Sequence, residues 1–296
     1  MCGRTASTLS PSAIVKACTY NPAAAGGRDI SQAATEGEEK QSQGDSGVED
    51  GSDIASTLVP VWTEAPCGGK YFPSTNIPPT SYTPILYKSS DQLVLQPMMW
   101  GLVPHWQAGQ PGPKVSWPDP VTTNICRLEN VMTSKLYSPS LAKKRCVVVC
   151  EGFYEWDRSG GVKQPYLVYR AGGKVVYMYM AGLYSVWRGG NGAPVYNYTI
   201  ITRESKILSW LHHRMTAFLS PHQISDWLTQ ALDMLALPRE GELAWHTVSR
   251  EVGNVRNQGM DLMLKVEPSV DNVKKKSEVK VSTASKGLMS DWLKRS

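Results

Sequence analysis

Six cysteines and five histidines are spread over 296 residues with no Cys-x-x-Cys pair and no histidine at zinc-finger spacing, which argues against a metal site. No stretch approaches the ~18 consecutive apolar residues of a membrane span. The first residues lack the apolar run of a signal peptide, so the chain is expected inside the cell, in a reducing compartment where thiols stay free. Neither an internal repeat nor a glycine-rich phosphate loop is present, which sets aside repeat arrays and P-loop nucleotide chemistry.

What remains is a chain long enough to bury a sizeable core. Its formal charge of +5 understates its basic character. From Thr35 to Asp53 seven acids (Glu36, Glu38, Glu39, Asp45, Glu49, Asp50 and Asp53) face one lysine, Lys40, for a local charge of −6. Set against the total of +5, that leaves +11 on the rest of the chain, a balance suited to a polyanion such as nucleic acid and also explicable by solubility. Residues 26–56 are rich in Gly, Ser, Gln, Ala and Glu and read as a disordered acidic insertion. A polar, lysine-rich tail occupies 268–296, and its Lys274–Lys276 run resembles a nuclear-import signal or plain solvated charge.

Between these segments, β-branched and aromatic runs punctuated by Gly or Pro predict strands at Gln92–Met99, Arg145–Trp156, Tyr166–Tyr169, Val175–Leu183 and Tyr196–Thr202. Helices are expected at Pro11–Ala17, at Glu204–His212 behind a Thr202 cap, and at Pro221–Leu228 behind Ser220. The expected class is α+β with a largely antiparallel sheet.

Several residue groups could carry chemistry. If Met1 is removed, Cys2 presents an α-amine and a thiol on adjacent carbons, and such a 1,2-aminothiol condenses with aldehydes to a thiazolidine. With an amine pKa near ~8, part of it is neutral and nucleophilic at physiological pH. Cys2 also fits an ordinary residue behind an initiator methionine, and Met-Cys-Gly opens amidotransferases whose processed cysteine attacks glutamine. In Glu151-Gly152-Phe153-Tyr154-Glu155-Trp156, the period of a strand puts Phe153 and Glu155 on one face and Tyr154 and Trp156 on the other. A carboxyl among aromatics is partly desolvated, which suits Glu155 to proton transfer, although an edge-strand surface glutamate fits the same letters. His212 and His213 at the end of the expected helix could face a cleft or merely complement the helix dipole, with Arg214 offering a fork for phosphate. Asn124, Cys126 and Arg127 form a polar cluster in a loop-like stretch behind Pro118 and Pro120. Trp100 and Trp106 flank the turn Gly101-Leu102-Val103-Pro104-His105, and one of them is expected to stack an unpaired base while the other packs in the core.

Taken in order, these pieces resemble the SOS-response-associated peptidase (SRAP) family of abasic-site processing proteins, which includes a 5-hydroxymethylcytosine-binding protein of animal embryonic stem cells. The matching segments are Met1–Arg4, Asn76–Pro79, Trp100–Trp106, Asn124–Glu129, Gly152–Trp156, His212–Met215, and Trp245–Arg250 through Val255–Asn257. The resemblance implies one SRAP domain over residues 1–267 with barrel-like sheets and a basic cleft for single-stranded DNA. It implies capture of the open aldehyde of an abasic site by Cys2, with Glu155 and His212 sharing acid–base work and Asn124 positioning the amine and the lesion. Arg4, Arg127 and Arg214 would clamp phosphates, and Asn76 with Pro78-Pro79, together with Trp106, would wedge or stack beside the lesion. No metal or organic cofactor is implied. Met1 would leave by self-processing or through an aminopeptidase. In the tail, Met289, Trp292 and Leu293 resemble a divergent peptide that binds the replication sliding clamp, so the expected setting is a monomer at replication forks in the nucleus, with no membrane contact.

Three departures stand out. Ile125 intervenes between Asn124 and Cys126, so the loop bulges by one residue or Asn124 is displaced. Thr216 replaces the family's proline after Arg-Met, and the insertion at 26–56 is acidic, which could regulate DNA entry. Two rival readings are an N-terminal-nucleophile amidohydrolase and a non-catalytic reader of modified cytosine.

Overall fold

The computed structural model describes residues 3–20, 57–104, 123–159, 163–172, 177–188, 193–229 and 242–267. Cys2, Trp106, the acidic insertion and the tail with Met289, Trp292 and Leu293 lie outside them.

Fourteen strands are present among the described residues. The larger sheet contains β2 (Val61–Trp62), β4 (Tyr82–Ser89), β5 (Gln92–Trp100), β6 (Ile125–Arg127), β7 (Arg145–Cys150), β10 (Met178–Trp187), β11 (Val195–Glu204), β12 (Arg214–Thr216) and β13 (Phe218–Leu219). Its order is β12-β11-β10-β7-β4-β5-β2, with β13 on β10 and β6 on β11. A parallel pairing of Asn197 and Tyr198 with Met99 and Trp100 joins β11 back to β5 and closes five strands into a barrel. The smaller sheet is antiparallel, in the order β14-β9-β8-β1-β3, and uses β1 (Thr5–Ser7), β3 (Ser74–Ile77), β8 (Gly152–Asp157), β9 (Gln164–Arg170) and β14 (Leu243–Thr247). With three short helices beside them, α1 (Pro11–Ala17), α2 (Ser138–Leu141) and α3 (Gln223–Thr229), the class is α+β.

Alternation in the central strands splits the core in two. Leu86, Val147, Val149, Ala181 and Leu183 pack with Ile14 of α1 and Ile224, Trp227 and Leu228 of α3. The intervening residues Ile85, Tyr87, Val148 and Met180 pack instead with Phe153, Val168 and Leu243 of the smaller sheet. Both faces of the barrel strands are therefore covered, which is why they read as continuous apolar runs. Gly182 is required where three strands close up, because a Cβ there would stand 2.9 Å from the Thr199 carbonyl and 3.1 Å from the Cys146 sulfur.

Three expectations differ from the structure. The run Arg145–Trp156 is two strands in two different sheets, with the corner at Glu151. The buried Glu151 carboxylate accepts from the backbone N–H and the hydroxyl of Thr8, and this fixes where the chain leaves the barrel. The segment Glu204–His212 is not a helix, because β12 returns antiparallel on β11 with Arg214 opposite Glu204. A nine-residue helix would separate its ends by ~13 Å, whereas this hairpin brings them together. The stretch around Asn124 is not a free loop either. Ile125, Cys126 and Arg127 pair one-to-one with Ile200, Ile201 and Thr202, so there is no bulge at Ile125. Helix α1 has the expected span with Ser10 as its cap, and α3 begins two residues later than expected.

Candidate functional site

Strand β1 runs through the smaller sheet between β8 and β3, with Thr5 opposite Phe153 and the Tyr154 N–H donating to the Arg4 carbonyl at 2.9 Å. Gly3 precedes this pairing in the chain, and Glu155 follows Tyr154 in β8. The Tyr71 hydroxyl secures the other end of β1 through Ser7 and Leu9.

The expected alternation in β8 holds. Phe153 enters the cluster between barrel and smaller sheet, while Tyr154 packs with Val248 and Val252 on the opposite side, with Trp156 against them. Glu155 is only 3% exposed and stands across from Tyr166 of β9, whose ring meets Trp210 edge-on at 5.1 Å. Trp210 sits in the turn that leads to His212, and this turn brings the imidazole into the field of Glu155. Burial lowers the His212 pKa below the ordinary histidine value, and the Glu155 charge works in the opposite direction. The Arg214 N–H lies 3.0 Å from Nδ1, a contact shorter than the 3.2 Å to the Arg214 carbonyl. Which of the two contacts forms depends on the tautomer of the ring. A buried carboxyl and an imidazole together can remove one proton and deliver another.

Strands β6 and β12 both pair with β11, and this joins the two remaining motifs. Arg214 is buried, and its fork donates to Glu129 at 2.8 and 3.3 Å and to the Thr202 carbonyl at 2.9 Å. Desolvation alone would raise the Glu129 carboxyl, but Arg214 and Arg127 hold it below the usual carboxylate range. The fork expected to meet phosphate is thus occupied by Glu129, whereas Arg127 is exposed. Asn124 is buried at the start of β6, and its carbonyl accepts from Trp100 Nε1 and from the Ile200 N–H. Trp100 is fully buried and stacked on Tyr198, so of the two tryptophans it has the core role.

Arg4 and Asn76 meet on the Trp156 side of the smaller sheet, away from Glu155. Asn76 is 0% exposed, so it does not stand with Pro78 and Pro79 at the surface as expected for a residue beside DNA. Its Oδ1 accepts from Arg4 Nη1 at 2.6 Å, and its Nδ2 donates to the carbonyls of Asn254 and Asn257, each at 2.9 Å. Glu129, Tyr166, Asn254 and Asn257 were not singled out from sequence. The motif blocks around Glu129 and Asn257 were the available signal, but a partner 85 residues away, as Arg214 is from Glu129, is invisible in a linear reading.

Cys18, Cys67, Cys126, Cys146 and Cys150 are free thiols. Burial pushes the thiols of Cys18, Cys146 and Cys150 up, and that of Cys126 to about 12, which leaves these four unsuited to thiolate chemistry near neutrality. Among the described residues no three His, Cys, Asp or Glu side chains gather as metal ligands would, and no helix is long and apolar enough to cross a membrane.

His246 of β14 is also held neutral, since burial lowers its pKa while Nε2 donates to the Met263 carbonyl at 2.9 Å. The unfolded chain then binds protons below pH ~6.5 that the folded one refuses, so stability is full above that pH and declines below it. Denaturant midpoints should fall between pH 7.5 and 5.5, and His246→Gln should shrink that fall. An unchanged fall in the variant would show that His246 contributes nothing to it.

Fold and site together define an α+β protein of two sheets in which the N-terminal strand pairs with the strand that carries a buried carboxylate, with an imidazole in its field. The chain belongs to the SOS response associated peptidase (SRAP) family, whose sequence pattern matches residues 1–255. It is 32% identical to the abasic site processing protein HMCES of Gallus gallus over an alignment covering 100% of this chain and 85% of that protein. It is 33% identical to HMCES of Xenopus tropicalis, with 99% and 85% covered, and 30% identical to the abasic site processing protein YedK of Escherichia coli (strain K12), with 64% and 82% covered. A solved structure from Bacteroides thetaiotaomicron shares the fold, with a TM-score of 0.54 at 21% identity over 66% of this chain and 86% of that one.

Proposed function

We propose that this protein processes abasic sites in single-stranded DNA by capturing them covalently through Cys2, after Met1 has been removed by its own site or by an aminopeptidase. The observation that carries the reading is the convergence of three elements from distant parts of the chain: the start of β1, whose Arg4 carbonyl accepts from Tyr154, the buried Glu155 next to Tyr154, and His212 within the field of Glu155. An abasic deoxyribose is mostly a closed hemiacetal. Opening it takes a proton from the hemiacetal hydroxyl and gives one to the ring oxygen, work suited to Glu155 and to the His212 imidazole. The Cys2 amine then adds to the freed aldehyde and water leaves to form an imine. Attack of the Cys2 sulfur on the imine carbon closes the thiazolidine, and the thiol proton passes to nitrogen.

Asn124 positions the lesion, and Arg127 supplies phosphate contact, with Arg214 joining it if DNA displaces Glu129. Pro78, Pro79 and Trp106 stand beside the extruded site. The protein works as a monomer in the nucleus, and Met289, Trp292 and Leu293 dock on the sliding clamp.

The test is intact-protein mass spectrometry before and after incubation with a short single strand carrying one abasic site. Loss of Met1 followed by an adduct one water lighter than protein plus DNA is the expected result. Retained Met1 with no adduct overturns it, and glutamine hydrolysis in the same preparation would point to an amidohydrolase.

A further inference from the structure

The chain beside the reacting amine is held from an unexpected direction. Two peptide links, at most ~7 Å of backbone, separate the Arg4 Cα from that of Cys2, and Gly3 between them adds no side chain to restrict the approach. Among the described residues, backbone pairing reaches Arg4, whose carbonyl accepts from Tyr154, and the Arg4 side chain gives this end of the chain a second hold. That side chain lies on Trp156, its Cζ 5.8 Å from the ring centroid, and its Nη1 donates to both Asn76 Oδ1 and the Val252 carbonyl.

Asn76 in turn has both ends of its carboxamide engaged, because the two carbonyls that it donates to belong to the segment following the 3-10 turn at Arg250–Gly253. That segment is braced from outside by Asn257, whose Nδ2 donates to the Glu251 carbonyl at 3.0 Å and to its carboxylate at 2.7 Å. A side chain with no exposed surface cannot touch DNA. A carboxamide with donor and acceptor both used, one end on the first turn of chain and the other on a braced loop some 180 residues away, acts as a strut.

We propose that Asn76 is a positioning residue, which aims the N-terminal amine by holding Arg4 against the 250–257 segment. This rests on the reading that Cys2 is the nucleophile. Replacing Asn76 by alanine removes both links, and Asn76→Asp keeps an acceptor for Arg4 while turning an attractive N–H···O contact into oxygen facing oxygen. Misaiming a reacting group by about 1 Å costs on the order of 100-fold in rate.

The experiment measures single-turnover adduct formation at saturating abasic single strand for wild type, Asn76→Ala, Asn76→Asp and Asn257→Ala. It also follows affinity for an intact strand across salt concentrations, and hydrogen exchange at the Arg4 and Thr5 amides of the free protein. A fall of about 10- to 100-fold in the maximal rate for both Asn76 variants is expected, with a smaller fall for Asn257→Ala. Intact-strand affinity and its salt slope should stay unchanged, and exchange at Arg4 and Thr5 should quicken. A parallel loss of affinity and salt slope would make Asn76 part of a DNA contact and overturn the proposal, as would a native rate. If the Asn76 variants do not fold, Asn257→Ala decides, because that side chain is only half-buried and stands outside the hydrophobic clusters. A wild type that forms no adduct fails the aldehyde-capture reading alone. In that case unchanged amide exchange in the variants still overturns the strut, and faster exchange upholds it.

Discussion

A Cys2→Ala protein should give no denaturation-resistant adduct with abasic DNA, yet bind an intact single strand with wild-type affinity. The reason is specific to the chemistry. An alanine terminus still offers an amine, and an amine alone reaches only the imine, which water reverses. The second ring-closing bond needs the thiol, and among the described residues the buried Cys18, Cys126, Cys146 and Cys150 cannot substitute because burial suppresses their thiolates. Denaturing electrophoresis of the protein mixed with a labelled abasic strand reads the outcome directly. An adduct that survives in Cys2→Ala would remove the aminothiol from the mechanism, and lost binding to intact DNA would mean that Cys2 matters for more than capture. Full retention of every activity would favour a non-catalytic reader of modified cytosine.

Glu155→Gln is the second large effect. The carboxamide keeps the shape of a side chain that is 3% exposed and faces Tyr166, so the fold and the approach of DNA should survive. What is lost is proton exchange, and general acid–base groups contribute about 100- to 10,000-fold. Adduct formation should therefore slow by at least ~100-fold at neutral pH without change in DNA affinity. The same substitution removes a charge that raises the His212 pKa against burial. His212 should then protonate only at lower pH, and whatever limb of the pH–rate profile it controls should move toward acid in the variant. Rates from pH 5 to 8 for both proteins check this, and coincident profiles would separate His212 from Glu155.

Part of this site was legible in the letters. The alternation through Phe153, Tyr154, Glu155 and Trp156 correctly divided the faces, since side-chain direction in a strand follows from backbone geometry whatever the neighbours are. The helix at Pro11–Ala17 was legible for an equally local reason, and the structure adds its cap, the Ser10 hydroxyl accepting from the Ala13 N–H. Other readings failed where the answer lay far along the chain. Thr202 and Glu204 suggested a cap and a helix, but Glu204 sits opposite Arg214 because the hairpin competes for the same backbone groups. Strand β4 is absent from the sequence-based expectations; the structure pairs its Pro84 with Pro97, so two missing donors share one rung.

The sequence by itself determined the residue types, their faces and their order: a cysteine in second place, a carboxyl among aromatics, an imidazole pair and a basic chain with an acidic stretch. These follow from covalent structure and from the short-range periodicity of strands. Tertiary structure alone decided who meets whom. It turned the chain at Glu151 so that β8 could join the N-terminal strand, gave the Arg214 fork to Glu129, and enclosed Asn76 between Arg4 and the 250–257 segment. Each of these contacts depends on which strand edges pair and which buried polar atoms must find partners there, and such requirements arise only once the sheets have closed.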